Sequence, residues 1–103
     1  MKKRVYICGK ITGMEVLAGV LFEQAAKELE ALGHIPVNPM DLNHDHDKSW
    51  ESYMKTCIKE LCTCDAIYLL TNHEESRGAR LEHDLAKELN ITRLHQPKIS
   101  IEL

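Results

Sequence analysis

The run Ala66-Ile67-Tyr68-Leu69-Leu70 constrains this chain more than any other five residues. Its apolar side chains are continuous rather than alternating, so a strand here carries hydrophobic groups on both faces and needs cover on both. That is the character of a central strand in a parallel sheet. Parallel neighbours cannot be joined by tight hairpins and require crossovers, usually helices. The rest of the chain reads as those crossovers and their strands.

Arg4 to Cys8 is short, rich in β-formers and closed by Gly9, which marks a first strand. Thr12 and Glu15 stand at capping-box spacing, and Leu17, Leu21, Ala25, Leu29 and Leu32 follow as one apolar stripe of a first helix. Its Gln24, Lys27, Glu28 and Glu30 read as a solvated face, and Gly33 as its stop. His34 to Pro39 reads as a second strand, with Pro36 placing it at or near a sheet edge. Trp50, Met54, Ile58 and Leu61 mark the inner stripe of a second helix, capped by Asp47 or Ser49. Asp65 to Leu70 forms the third strand. A third helix runs from about Ala79 to Leu89, with Leu81, Leu85 and Leu89 at helical spacing and Asn90 as a left-handed cap. Lys98 to Glu102 alternates and is expected as a short fourth strand, while Ile91 to Pro97 gives no firm pattern.

Strands alternating with helices imply one α/β domain spanning residues 1–103, with a mainly parallel sheet of four or five strands and right-handed crossovers. With 103 residues, the chain has enough material for a single core and little to spare. The formal net charge of −3 gives no electrostatic case for gripping a nucleic-acid backbone. No apolar run approaches membrane-spanning length, and the basic start lacks the apolar stretch of a secretion signal, so a cytoplasmic location is expected. In that reducing compartment Cys8, Cys57, Cys62 and Cys64 are expected as small buried hydrophobes. Cys62-Thr63-Cys64 lacks the spacing of a zinc or redox pair. His44-Asp45-His46-Asp47 offers metal-ligand types, but adjacent loop residues rarely converge on one ion. A polar lip is the simpler reading, and no metal or other cofactor is expected.

Parallel topology also gathers chemistry. The loop Gly9-Lys10-Ile11-Thr12-Gly13, the turn at Asn38 and the loop holding Ser76 and Gly78 all leave the C-terminal ends of strands, where open α/β sheets bind ligands. Backbone N–H groups of the first loop and of a helix start near Ser76 suit an anion. The first loop is neither a triphosphate-binding loop nor a dinucleotide fingerprint. One turn into the third helix stands a single carboxylate, Glu82. Each feature has a structural alternative: a plain turn for the glycines, an N-cap for Ser76, a solvated charge for Lys10. Tyr6 could be a core aromatic, and Glu82 a dipole complement paired with Arg80 or Lys10.

Two stretches carry a resemblance. Tyr6-Ile7-Cys8-Gly9-Lys10-Ile11-Thr12-Gly13 is similar to the opening signature of the nucleoside 2-deoxyribosyltransferase superfamily. Ser76-x-Gly78-x-x-x-Glu82, after the strand that begins at Asp65, is similar to the stretch where that family carries its catalytic glutamate. Trp50 with Tyr53-Met54 is a looser match, and the resemblance covers roughly residues 4 to 89. Within the superfamily the sequence most resembles the 2'-deoxynucleoside 5'-phosphate N-hydrolases. The resemblance implies a small Rossmann-like, flavodoxin-like three-layer domain, a homodimer or larger, that cleaves or exchanges the N-glycosidic bond of a nucleoside or its monophosphate. Glu82 would be the nucleophile, kept ionised by the helix N-terminus, and Tyr6 would orient it. Gly9, Lys10, Ile11, Gly13, Asn38, Ser76 and Gly78 would contact the substrate. Ser76 stands where nucleoside-specific relatives carry an acid, which favours a 5'-phosphate. The family's further acid in the second helix has no counterpart, since that neighbourhood reads Met54-Lys55-Thr56-Cys57. The same fold without turnover, as a nucleotide-binding module, is the alternative.

Overall fold

The structure is a computed structural model that describes residues 2–43 and 49–97. Four strands, β1 (Arg4–Cys8), β2 (Ile35–Val37), β3 (Ala66–Leu69) and β4 (Thr92–His95), form an all-parallel sheet in the order β2-β1-β3-β4. Three helices connect them: α1 (Glu15–Ala31), α2 (Trp50–Leu61) and α3 (Arg77–Glu88). This is the small Rossmann-like, flavodoxin-like arrangement, in which the α1 and α3 crossovers lead to a neighbouring parallel strand and the α2 crossover passes over β1 to reach β3. Strand order reverses between β1 and β3, the point where such sheets open a crevice.

The two faces are covered unequally. Val5 and Ile7 of β1, with Ala66 and Tyr68 of β3, face α1 and pack on Ala18, Phe22, Ala25 and Leu29. Tyr6 and Cys8, with Ile67 and Leu69, point the other way, toward Cys57 and Leu61 of α2 and Ala79 and Ala86 of α3. Alternation along β1 therefore sends Tyr6 and Cys8 to the same side, under α3. The continuous apolar character of β3 is accounted for, because every one of its residues is buried.

Several boundaries differ from the sequence expectation. The buried stripe of α1 is Ala18, Phe22, Ala25, Ala26 and Leu29, while Leu17 and Leu32 are exposed. Alanines and one phenylalanine let this helix lie close to the sheet, and the leucine spacing was a partly surface pattern. The capping box does not form. Met14 occupies the N-cap position, and the Glu15 carboxylate instead accepts from the Gly13 N–H at 2.8 Å. In α2, Cys57 takes the inner position expected of Ile58, which is half-buried. Cys62, expected to be buried, is exposed where α2 ends. Helix α3 begins at Arg77, one turn's fraction earlier than expected, because the Ser76 hydroxyl accepts from the Ala79 N–H at 3.2 Å. Its inner stripe is Gly78, Ala79, Glu82 and Ala86, whereas Leu81 and Leu89 are exposed. The fourth strand lies at Thr92–His95, within the segment whose pattern was weakest, since as an edge strand it is mostly exposed and shows no apolar alternation. The expected strand at Lys98 to Glu102, the His44-Asp47 loop and the Asp47 cap lie outside the described residues.

Other expectations are met. Pro36 sits on edge strand β2. Ser49 caps α2, accepting from the Ser52 N–H at 3.1 Å. Asn90 adopts a left-handed φ of 55°, and the Ile91 N–H reaches back to the Ala86 carbonyl at 2.9 Å. No helix among the described residues is long and apolar enough to cross a membrane.

Candidate active site

Above the β1–β3 switch point lies a narrow hollow of about 40 Å³, lined by Tyr6, Gly9, Tyr53, Met54, Gly78 and Glu82 among others. A wider hollow of about 340 Å³ shares Thr12, Trp50, Ser76 and Gly78 with it and adds Lys10, Glu75 and Arg77. Close backbone approach shapes both. A Cβ on Gly9 would stand 2.7 Å from Leu70 Cδ1, and one on Gly78 would stand 2.9 Å from Met54 Sδ. Glycine at position 9 lets the first loop approach the end of β3, and glycine at position 78 lets the start of α3 approach α2.

Glu82 is 6% exposed, a buried carboxylate with no cation beside it among the described residues. Its position follows from α3's spacing, where Ala79, Glu82 and Ala86 share the face turned to the sheet. The Tyr6 hydroxyl donates to Oε2 at 2.5 Å. The Cys8 thiol lies 3.6 Å from Oε1 and 3.4 Å from the Ala79 carbonyl. Arg80 and Lys10 are engaged elsewhere, Arg80 with the Glu74 carbonyl at 2.9 Å and Lys10 with the Glu75 carboxylate at 4.0 Å. The dipole-complement reading of Glu82 therefore gives way to a hydrogen-bonded pair with Tyr6.

The charge state departs from expectation. Burial pushes the Glu82 carboxyl up to about 7, and the hydrogen bonds from Tyr6 and Cys8 pull against that rise without cancelling it. Desolvation outweighs the helix field because Glu82 lies beyond the first turn of α3, where that field fades. Burial likewise raises the Tyr6 and Cys8 side chains, with the nearby Glu82 charge adding to it. Burial raises Cys57 to about 11, and the Tyr6 and Tyr53 hydroxyls pull against that rise. Tyr53 is raised for the same leading reason.

The other expected contacts divide. Gly9, Ile11, Ser76 and Gly78 line the narrow hollow, and Lys10 lines the wider one. Gly13 and Asn38 line neither of these two hollows. Gly13 is an exposed turn residue whose N–H is taken by Glu15. The Asn38 side chain caps the short 3₁₀ turn at Pro39–Asp41 by accepting from the Met40 N–H at 3.0 Å. The Lys10 N–H is bonded to the Asn72 side chain at 3.1 Å, so this donor of the first loop is committed within the protein. The Arg77 guanidinium stacks over Trp50, 3.9 Å from the ring centroid, and holds the indole at the rim. Cys8, Tyr53, Met54 and Cys57 were not expected as site residues. The period of β1 exposes Cys8's placement beside Tyr6, but the α2 residues are brought in only by helix packing. Away from this crevice, His73, His83 and His95 pack edge to face with ring centroids 5.3–6.3 Å apart, and His73 Nδ1 is bonded to the Leu70 carbonyl. No group of three or more His, Cys, Asp or Glu among the described residues is arranged to hold a metal ion.

Fold and site together define a small α/β domain with a buried carboxylate at its switch point. Residues 3–94 match the family described as a domain of unknown function, DUF4406, and the chain belongs to that family. The fold is similar to that of a 2-deoxyribosyltransferase from the psychrotolerant bacterium Bacillus psychrosaccharolyticus, described as a biocatalyst for the synthesis of antiviral and antitumoral nucleosides. The TM-score is 0.70 at 18% identity, over 95% of this chain and 77% of that one. No curated protein matches the sequence.

Proposed function

We propose that the protein cleaves or transfers the N-glycosidic bond of a (deoxy)nucleoside 5'-monophosphate, with hydrolysis as the main outcome and Glu82 as the nucleophile. The observation that carries this reading is the Tyr6–Glu82 pair, a buried carboxylate aimed by a phenol at the narrow end of the crevice. In its ionised form Glu82 attacks the anomeric carbon; a glycosyl–carboxylate bond forms as the bond to the base breaks, and the base leaves with the bonding electrons. Water, or a second base in transfer, then attacks the same carbon and releases Glu82. Tyr6 fixes Oε2, and Oε1, whose second lone pair stays available beside the Cys8 thiol, is the attacking oxygen. The wider hollow supplies Ser76, Lys10 and Arg77 near the start of α3, a setting that suits a 5'-phosphate and carries Glu75 as its lining acid among the described residues. The similarity of fold to a 2-deoxyribosyltransferase supports the reading at the level of the scaffold.

A second reading, a nucleotide-binding module without turnover, is favoured by one feature. Where a further acid would assist the base, α2 presents Tyr53 and Cys57, both raised and neutral at physiological pH. Incubation with a panel of deoxynucleoside monophosphates separates the two. Release of free base by the native protein, abolished in Glu82→Gln with monophosphate binding retained, is the expected result. Binding without any release selects the second reading. Release that survives in Glu82→Gln takes the nucleophile role away from that residue.

A further inference from the structure

We infer that Cys8 is a positioning residue of Glu82, its thiol donating to the carboxylate oxygen that Tyr6 leaves open. This rests on the reading of Glu82 as the reacting group and adds a second anchor to it. Tyr6 and Cys8 are two apart on β1, so both point beneath α3. The Tyr6 hydroxyl takes Oε2 at 2.5 Å, and Cys8 Sγ stands 3.6 Å from Oε1. Two donors on two oxygens define the plane of the carboxylate, which one donor cannot do.

The thiol has one proton and two acceptors in reach, Oε1 and the Ala79 carbonyl at 3.4 Å. A carbonyl inside a helix already accepts from the backbone N–H four residues on. An ionised carboxylate is the stronger acceptor. The thiol proton therefore turns to Oε1 when Glu82 is ionised and to Ala79 when it is protonated. The titratable groups facing Glu82 are Tyr6 and Cys8 from β1 and Tyr53 and Cys57 from α2. All four are raised, burial being the largest cause, so none becomes a competing anion near neutrality. Cys8 is fully buried and unpaired with another cysteine, which keeps it a donor rather than a nucleophile.

The experiment needs no substrate. The Cys8 S–H stretch is isolated by subtracting the infrared spectrum of Cys8→Ala, and the Glu82 carboxyl is followed by carbon NMR, both across the pH range around 7. The band is expected to move to lower frequency as Glu82 ionises, and to stay fixed in Glu82→Gln. The Glu82 midpoint is expected to rise by about half a pH unit or more in Cys8→Ala, leaving it about threefold less ionised at the acid end, and to recover in Cys8→Ser. An S–H band that ignores pH, a midpoint that does not rise in Cys8→Ala, or equal rises in both variants overturns the inference. Because these readouts are taken without turnover, a protein that releases no base defeats the proposed function and leaves this result standing.

Discussion

Glu82 couples stability to pH. Its folded-state value, about 7, lies above the ordinary 4.5, so the native state resists losing this proton. The contribution favouring the fold is complete below the unfolded value and is lost as pH rises through about 7. Glu82→Gln removes that dependence while keeping the shape. Between pH 4 and pH 8 the native protein should lose on the order of 3 kcal/mol relative to Glu82→Gln in urea unfolding. A difference that stays constant across that range would refute the buried-carboxylate account. Activity runs in the opposite direction, because attack needs the ionised form, so kcat/KM should climb through about pH 7 and level off above it. Tyr6→Phe deletes the shorter of the two bonds to Glu82. Base release should fall about ten- to a hundredfold, the effect of one hydrogen bond to a charged group, and its acid limb should move to higher pH. An unchanged profile would leave Tyr6 as a packing residue only.

At the scale of elements, the two crossovers flanking β3 on one face begin with serine caps that have different neighbours. Ser49 caps α2 through the Ser52 N–H, and Ser76 caps α3 through the Ala79 N–H. Replacing either with alanine should cost about 1 kcal/mol in unfolding free energy. Only Ser76→Ala should also raise KM for a monophosphate, since Ser76 lines both hollows. Equal effects on KM from both variants would remove Ser76 from substrate contact. The helices also show where sequence pattern misleads. The leucines of α1 and α3 are the most visible periodic residues, yet Leu17, Leu32, Leu81 and Leu89 are exposed. The faces on the sheet are built from Ala18, Phe22, Ala25, Ala26 and Leu29 in α1 and from Gly78, Ala79, Glu82 and Ala86 in α3, so packing rather than leucine spacing selects the inner stripe. Strand β4 was illegible for a related reason. An edge strand with three exposed residues of four carries no apolar alternation, and its place is fixed by pairing with β3.

For the molecule as a whole, three of the seven exposed large apolar side chains among the described residues sit together on the first half of α1. Val16 is 87% exposed, Leu17 54% and Val20 50%, more than a solitary chain gains from leaving in water. A homodimer, expected from the family resemblance, would bury this face. Sedimentation should show a dimer at micromolar concentration, and Val16→Glu with Val20→Glu should give monomers that unfold at a similar temperature. A native protein that sediments as a monomer throughout would overturn the dimer.

What the sequence determined alone follows from local rules. The apolar run of β3 demanded cover on both faces, Pro36 demanded an edge, and alternation along β1 put Tyr6 and Cys8 on one side. Those rules act within a strand or a turn, so they survive without knowledge of neighbours. Tertiary structure decided the rest: which helix faces touch the sheet, that Asn38 and the Lys10 N–H are used internally, and that Tyr53 and Cys57 enter the site. It also decided the charge of Glu82. Desolvation is a property of everything packed around a carboxylate, and no spacing along the chain records it.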